Sequence, residues 1–143
     1  MRRTLAVVAI LVMFGCGAGA SDLSSAAEAK ALADSAMQLI VSDKINEAFD
    51  LLRAQWPIPS NEIDTIVLKT IQQRNLVEPR FGKTVGYAFV KEEKVSDFFV
   101  RYTFAEKHEL HAIRWQFTFY KPRAVWKVNA VYWDDNIADL FKQ

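Results

Sequence analysis

Four groups of residues in this chain are of types that do chemistry. His108-Glu109-Leu110-His111 sets two imidazoles beside a carboxylate, the raw material of a metal site. A zinc-binding H-E-x-x-H helix spaces its histidines four apart so that both face one way. Here they are three apart, in a segment that reads as a turn entering a strand, so they diverge and are expected as exposed turn residues. Asp134-Asp135 offers two carboxylates, and acid–base work needs such a pair in environments that separate their pKa values. Adjacent residues point apart, however, and this pair stands where a helix cap is expected. The third group is Arg101, Arg114, Gln116 and Tyr120, out of phase with the aromatic stripe of their strands and therefore sharing one sheet face with Phe99, Thr103 and Thr118. On a concave wall these four would make an anion-accepting ligand site; on a solvated face they are ordinary strand residues. The fourth is the lone cysteine, Cys16. There is no Gly-rich phosphate loop and no G-x-S-x-G nucleophile turn. No catalytic residue, metal ligand or cofactor is therefore assigned.

Cys16 belongs to the first twenty residues, which read as a signal peptide. Arg2 and Arg3 are a positive start, Leu5 to Phe14 an apolar run, and Ala18-Gly19-Ala20 an A-x-A cleavage site with Ser21 as the first mature residue. The run is too short to span a bilayer, which takes about 20 residues. The alternative is a lipoprotein box, Val12-Met13-Phe14-Gly15 before a lipidated Cys16. Gly15 suits it, whereas Met13 and Phe14 do not. Either route leaves no thiol for a disulfide, a metal or nucleophilic catalysis. The expected location is periplasmic or secreted, with a lipid anchor in the cell envelope as the alternative. Losing Arg2 and Arg3 from 18 basic residues leaves 16 against 17 acidic ones, a net charge near −1. A near-neutral chain has no electrostatic footprint for nucleic acid.

Positioning the remaining groups falls to one domain over residues 21–143, whose character changes near residue 80. Before it, apolar residues recur at helical spacing. Ser25 and Glu28 form a capping box, with Leu32, Ala36, Leu39 and Ile40 on one face up to about Val41. The alanine-rich first turns have little to bury. Ser42-Asp43 reads as a break with a new cap, and Ile45, Ala48, Phe49 and Leu52 follow as an amphipathic stripe stopped by Pro57 and Pro59. A third helix starts at Ser60, burying Ile63, Ile66, Val67, Thr70 and Ile71, and Glu78-Pro79-Arg80 ends it or follows it closely.

After residue 80 aromatics take over: of the 17 left after Phe14, all but Phe49 and Trp56 lie between Phe81 and Phe141. That shift marks strands, since aromatic side chains suit a pleated, half-buried surface. Four runs alternate with period two. Lys83–Lys91 carries Val85, Tyr87 and Phe89; Asp97–Ala105 carries Phe98, Val100, Tyr102 and Phe104. Ile113, Trp115, Phe117 and Phe119 mark the third, and Trp126, Val128, Ala130 and Tyr132 the last. Asp97, at a strand edge, is the one acid these runs offer. Asp134-Asp135 then caps a terminal helix expected to bury Ile137, Leu140 and Phe141. The expected fold is α+β: three N-terminal helices packed on a curved four-stranded antiparallel sheet, a cone-shaped roll, with a short C-terminal helix.

This order of elements resembles the nuclear transport factor 2-like, or cystatin-like, α+β roll over about residues 25 to 141. The end of the chain is similar to that of small secreted members without an assigned activity: Phe119-Tyr120-Lys121-Pro122, Trp126-Lys127-Val128, Asp134-Asp135 and Leu140-Phe141. The resemblance implies a cone that is often a pocket, and a homodimer through the sheet. It leaves function open, since the superfamily holds isomerases, dehydratases, transport factors and binding domains. Its isomerases use an aspartate base beside a tyrosine; Tyr87, Tyr102 and Tyr120 offer the hydroxyl, and Asp97 is misplaced as the base. The expected function is non-catalytic binding of a small ligand or partner protein by an exported envelope domain. The alternative is a small isomerase or hydro-lyase of ketosteroid-isomerase type.

Overall fold

The Ser25 hydroxyl accepts the Glu28 amide at 3.2 Å while the Glu28 carboxylate accepts the Ser25 amide at 3.1 Å. This reciprocal cap answers two amides that no helical carbonyl can reach, and it starts α1 (Ala26–Val41). The computed structural model describes residues 21–142, so the leader reading and Cys16 fall outside the described residues. After α1 come α2 (Ile45–Arg53), α3 (Ser60–Arg74) and a five-residue α4 (Val77–Phe81). Then follow β1 (Thr84–Val95), β2 (Phe99–His108), β3 (Ala112–Tyr120), β4 (Lys127–Asp134) and a closing 3-10 helix (Ile137–Phe141). The strands pair antiparallel in chain order. The protein is thus α+β, helices first and a four-stranded meander after. No helix among the described residues is long and apolar enough to cross a membrane.

The helices cover one face of the sheet. On that face Val100, Tyr102 and Phe104 of β2 meet Phe119, Phe117 and Trp115 of β3, all at most 1% exposed. Ala29, Ala33, Ala36, Met37 and Ile40 of α1 are wholly buried over them. The α1 face is therefore rotated toward its alanines, and Leu32 and Leu39 are only partly buried. Small side chains let the helix approach closely, so the expectation that this end has little to bury is corrected. The Tyr102 hydroxyl donates to the Ala26 carbonyl at 2.7 Å, tying sheet to helix start. In α2 the stripe Ile45, Ala48, Phe49 and Leu52 is buried as its spacing predicts.

Several local expectations change. No side chain caps α2; its N-cap is Lys44, and the Ser42 hydroxyl donates back to the Gln38 carbonyl instead. The third helix does start at Ser60, with Pro59 as its N-cap, but Ile66 and Ile71 are only half-buried beside the buried Ile63, Val67 and Thr70. Glu78-Pro79-Arg80 lies inside α4, where proline is tolerated because a first turn needs no amide donor. An irregularity between Thr84 and Gly86 shifts the phase of β1, leaving Val85 62% exposed. At the end of the chain Ile137 and Leu140 are half-buried and Phe141 is 83% exposed. A single 3-10 turn presents too narrow a stripe to bury all three.

Candidate functional site

Continuing the β2 alternation past Phe104 carries Glu106 and His108 onto the helix-facing side, beyond where the strand was expected to end. Glu106 is 0% exposed. Ionised carboxylates are buried only when fully answered, and this one is. Arg74, the last residue of α3 and in line with Ile63, Val67 and Thr70, donates from Nη1 to Oε2 at 2.8 Å and from Nη2 to Oε1 at 3.0 Å. The Trp115 indole donates to Oε2 at 2.8 Å, and the Thr84 hydroxyl to Oε1 at 3.3 Å. One residue from each of α3, β1 and β3 thus converges on a carboxylate of β2. Arg74 Nη2 also donates to the Ile40 carbonyl at 3.3 Å, joining the end of α1 to the cluster.

His108 completes it. Its ring is 2% exposed, so the expectation of an exposed turn histidine is corrected: the residue ends β2 on the buried side. Nδ1 donates to the Gly82 carbonyl at 2.9 Å, since a carbonyl can only accept. Nε2 lies 3.2 Å from Glu106 Oε1, outside hydrogen-bond alignment but within ion-pair reach when the ring is protonated. Gly82 holds this arrangement through backbone that only glycine adopts readily, φ +81° and ψ −175°. A Cβ there would stand 2.7 Å from the Glu109 carboxylate and 2.9 Å from its Cβ. His111 goes elsewhere, its ring 4.6 Å from that of Phe81 and its Nε2 3.2 Å from the Asp135 carbonyl oxygen.

The cluster forms part of the wall of an open cleft of about 1050 Å³. The cleft runs between the α1–α2 turn, the end of α3, α4 and the start of β1. Arg74, Thr84 and His108 supply its polar wall, and Val41, Ile45, Ile71 and Val77 its apolar one. Lys83, Asp43 and Glu78 stand at exposed positions around it. The expectation that Asp97 is the one strand acid is likewise corrected, since Glu106 sits mid-sheet.

The four residues singled out from the sequence share the opposite face of the sheet, where Arg101 pairs with Thr118 and Tyr120 with Phe99 in the strand register. Arg101 is exposed and its Nε donates to the Thr118 hydroxyl at 3.3 Å. Gln116 donates to the Thr103 hydroxyl at 3.4 Å. Tyr120 packs on Phe99 at 4.9 Å between ring centroids. Arg114 is buried and clamped by two carboxylates: Nε donates to Asp134 Oδ1 at 3.0 Å, and Nη1 lies 3.1 Å from Asp139 Oδ2. Burial pushes the Asp134 carboxyl up, but hydrogen bonds and charge from Arg114 outweigh it and hold the group below the usual range. Asp134 also accepts the Asn136 amide at 3.1 Å, while Asp135 pairs with exposed Arg80 at 3.1 Å. The adjacent carboxylates serve two different ion pairs.

Two tyrosines on the helix side are spoken for. Burial, with Glu92 nearby, pushes the Tyr102 hydroxyl up to about 12. Burial also raises Tyr87, which packs on Phe104 at 6.1 Å between ring centroids. No protein-family model, no curated protein and no solved structure matches the chain.

Proposed function

We propose that this chain is a non-catalytic binding domain that holds a small ligand in the cleft beside Arg74, Thr84 and His108. The observation that carries this reading is a large open cleft with a buried, hydrogen-bonded polar cluster in its wall. Such a wall is pre-organised, so a ligand need not order it on binding. Proton abstraction needs a carboxylate with a free lone pair within reach of substrate. Glu106 has its oxygens committed to Arg74, Trp115 and Thr84, and Tyr102 is bonded to the Ala26 carbonyl. That weighs against the isomerase or hydro-lyase alternative, which would need an inward-facing acid free to act as the base.

The same reading takes the fold as a cone-shaped roll of the nuclear transport factor 2-like kind, with the cleft at its open end. Strand irregularities in β1 and between Thr118 and Phe119 support it, because bulges bend a strand. It takes the protein as exported, cleaved before Ser21 or lipidated at Cys16, and active in the periplasm or outside the cell. It also includes a homodimer through the outer sheet face, supported by Phe98, Tyr120 and Tyr132 being 39%, 37% and 54% exposed.

A fragment screen by ¹H–¹⁵N correlation spectra on the purified protein tests the central claim. Ligands that shift amides around Arg74, Thr84 and His108 are expected; a set of hits confined to the outer face at Arg101, Gln116 and Tyr120 would move the site there. Mass spectrometry of the exported protein is expected to give Ser21 as first residue, and a lipidated Cys16 would replace that route. Light scattering that returns a monomer at high micromolar concentration removes the dimer.

A further inference from the structure

The strand register lines up one row of residues across an end of the sheet: Val95, Phe99, Tyr120 and Lys127, one from each strand. Side chains opposite one another project from the same face, here the outer one. The ring of Phe98, from the turn between β1 and β2, closes on this row, 5.2 Å from Phe99 and 6.4 Å from Tyr120 between centroids. Val95, Phe98 and Tyr120 are 64%, 39% and 37% exposed. The tip of the sheet therefore shows water a patch of mutually packed rings.

Basic side chains rim that patch. Arg101 stands in the next row of β2, and Lys121 and Arg123 lie in the connection into β4. Neighbouring lysines are matched, Lys94 by Glu92 at 2.9 Å and Lys127 by Asp22 at 3.5 Å. Among the described residues Arg101, Lys121 and Arg123 form no ion pair. Arg101 donates to the Thr118 hydroxyl instead, and Lys121 Nζ lies 5.2 Å from the centroid of the Trp126 ring. Asp97 is the acid that stands against them in the turn. The chain as a whole is near neutral, so this surplus is segregated charge: Glu109, Asp134 and Asp135 lie toward the other end of the strands.

The chain also enters at this end. The Leu23 carbonyl accepts the Trp126 amide at 2.8 Å, and the Ser21 carbonyl accepts the Gln55 side chain at 2.9 Å. Ser21 to Leu23 are thus fixed beside the β3–β4 connection. Cys16 precedes Ser21 by five residues. Five residues reach at most about 17 Å, so a lipid on Cys16 would hold this same tip close to a bilayer.

We propose that this tip docks on an anionic membrane surface. Phe98, Phe99 and Tyr120 would sit at headgroup level, with Arg101, Lys121 and Arg123 against lipid phosphates. Aromatic rings favour that depth, and basic side chains are drawn to the negative surface. A homodimer would cover the same rings, so lipid and a second copy compete for them. A symmetric tip-to-tip contact would set these cations against their own kind, which favours lipid. The cleft beside Thr84 and His108 lies at the opposite end of the β1–β2 ladder, about 35 Å away at strand rise, and would open away from the bilayer.

The test mixes the ¹⁵N-labelled exported protein with bicelles of phosphatidylcholine, alone or with an equal part of phosphatidylglycerol. A gadolinium-headgroup lipid in both broadens the amides that approach the surface. Amides of Val95 to Phe99 and Tyr120 to Ala124 are expected to broaden more on the anionic bicelles and to recover with added salt, while Thr84 and His108 stay sharp. A lipid on Cys16 would act equally in both bicelles, so their difference reports the tip alone. Lys121→Gln with Arg123→Gln is expected to weaken contact with the anionic bicelles about 30-fold. Phe98→Ser is expected to weaken it about tenfold. None of these three residues is buried, so thermal melts of the variants should match the parent. Lys107→Gln, exposed at the other end of β2, is expected to change nothing. A tip that stays sharp, equal broadening on both bicelles, or undiminished broadening in both tip variants overturns the proposal. A sharp tip together with a dimer that Phe98→Ser dissolves in light scattering overturns it too, and gives the rings to a second copy. The cleft reading stands or falls separately.

Discussion

Replacing Arg74 by methionine isolates the cluster's largest interaction. The side chain is 8% exposed and its partner Glu106 is 0% exposed, so neither charge has water to fall back on. Methionine keeps the aliphatic stem but removes both donors, leaving the carboxylate to Trp115 and Thr84 alone. Stranding one member of a buried pair costs about 3–5 kcal/mol. For a domain whose total stability is on the order of 5–15 kcal/mol, that is about a fifth or more. At roughly 3–5 °C per kcal/mol for a chain of this size, the midpoint should fall by roughly 9–25 °C. Glu106→Leu strands the buried guanidinium in turn, again at about 3–5 kcal/mol, and leaves the Trp115 indole unanswered as well. The double variant should be far less damaged than the two losses added together, because an apolar pair replaces an ion pair at little net cost. Urea unfolding followed by far-ultraviolet circular dichroism gives all four corners of the cycle, with unchanged slopes showing that only stability moved. A loss below about 1 kcal/mol for Arg74→Met, or additivity within about 0.5 kcal/mol, would refute the claim that Arg74 and Glu106 act as one buried unit.

Gly82→Ala should cost about 1–3 kcal/mol, since alanine is strained at this φ and ψ; thermal melts check this, and an unchanged midpoint would mean the turn relaxes. Tyr102 ionises at about 12 in the fold against about 10 in the unfolded chain. Its contribution is therefore fully present below pH 10 and lost as pH rises toward 12, a fall of about 2 kcal/mol readable by urea titrations alongside tyrosinate absorbance. Asp134 has the opposite sign: with its folded value depressed, its pairing with Arg114 stabilises the protein above the unfolded value near about 3.9 and is lost as pH falls. Arg114→Met should thus cost about 1 kcal/mol at pH 7, after discounting for solvent screening, and much less at pH 2; equal losses at both would contradict the pairing. Ile63→Asp should unfold the domain, because Ile63 is 0% exposed, whereas Ile66→Asp should leave a measurable melt from a half-buried site.

The cluster was partly legible beforehand. Ile63, Val67, Thr70 and Arg74 fall on one stripe of α3, and Val100, Tyr102, Phe104, Glu106 and His108 on one face of β2. Carrying both periodicities one step further would have brought a guanidinium, a carboxylate and an imidazole to the same side. Acid, lysine and histidine in a row at 106–108 resemble a polar turn, which is why the alternation by itself ends the strand at Ala105. Only knowing that Arg74 waits opposite makes a buried Glu106 affordable.

Local chemistry settled what depends on neighbours in the chain: the Ser25–Glu28 cap, the α2 stripe, and four alternating strands joined by short turns into a meander. These follow from periodicity and from side chains reaching three or four residues away. Which face of each element is buried, and how deeply, came from contacts between residues far apart in sequence. Arg74 and Glu106, 32 residues apart, share a site, and Arg114 is closed off by Asp134 and Asp139 from the end of the chain. Charged side chains carry no sign of burial in their own neighbourhood; it is the partner, delivered by the fold, that allows it.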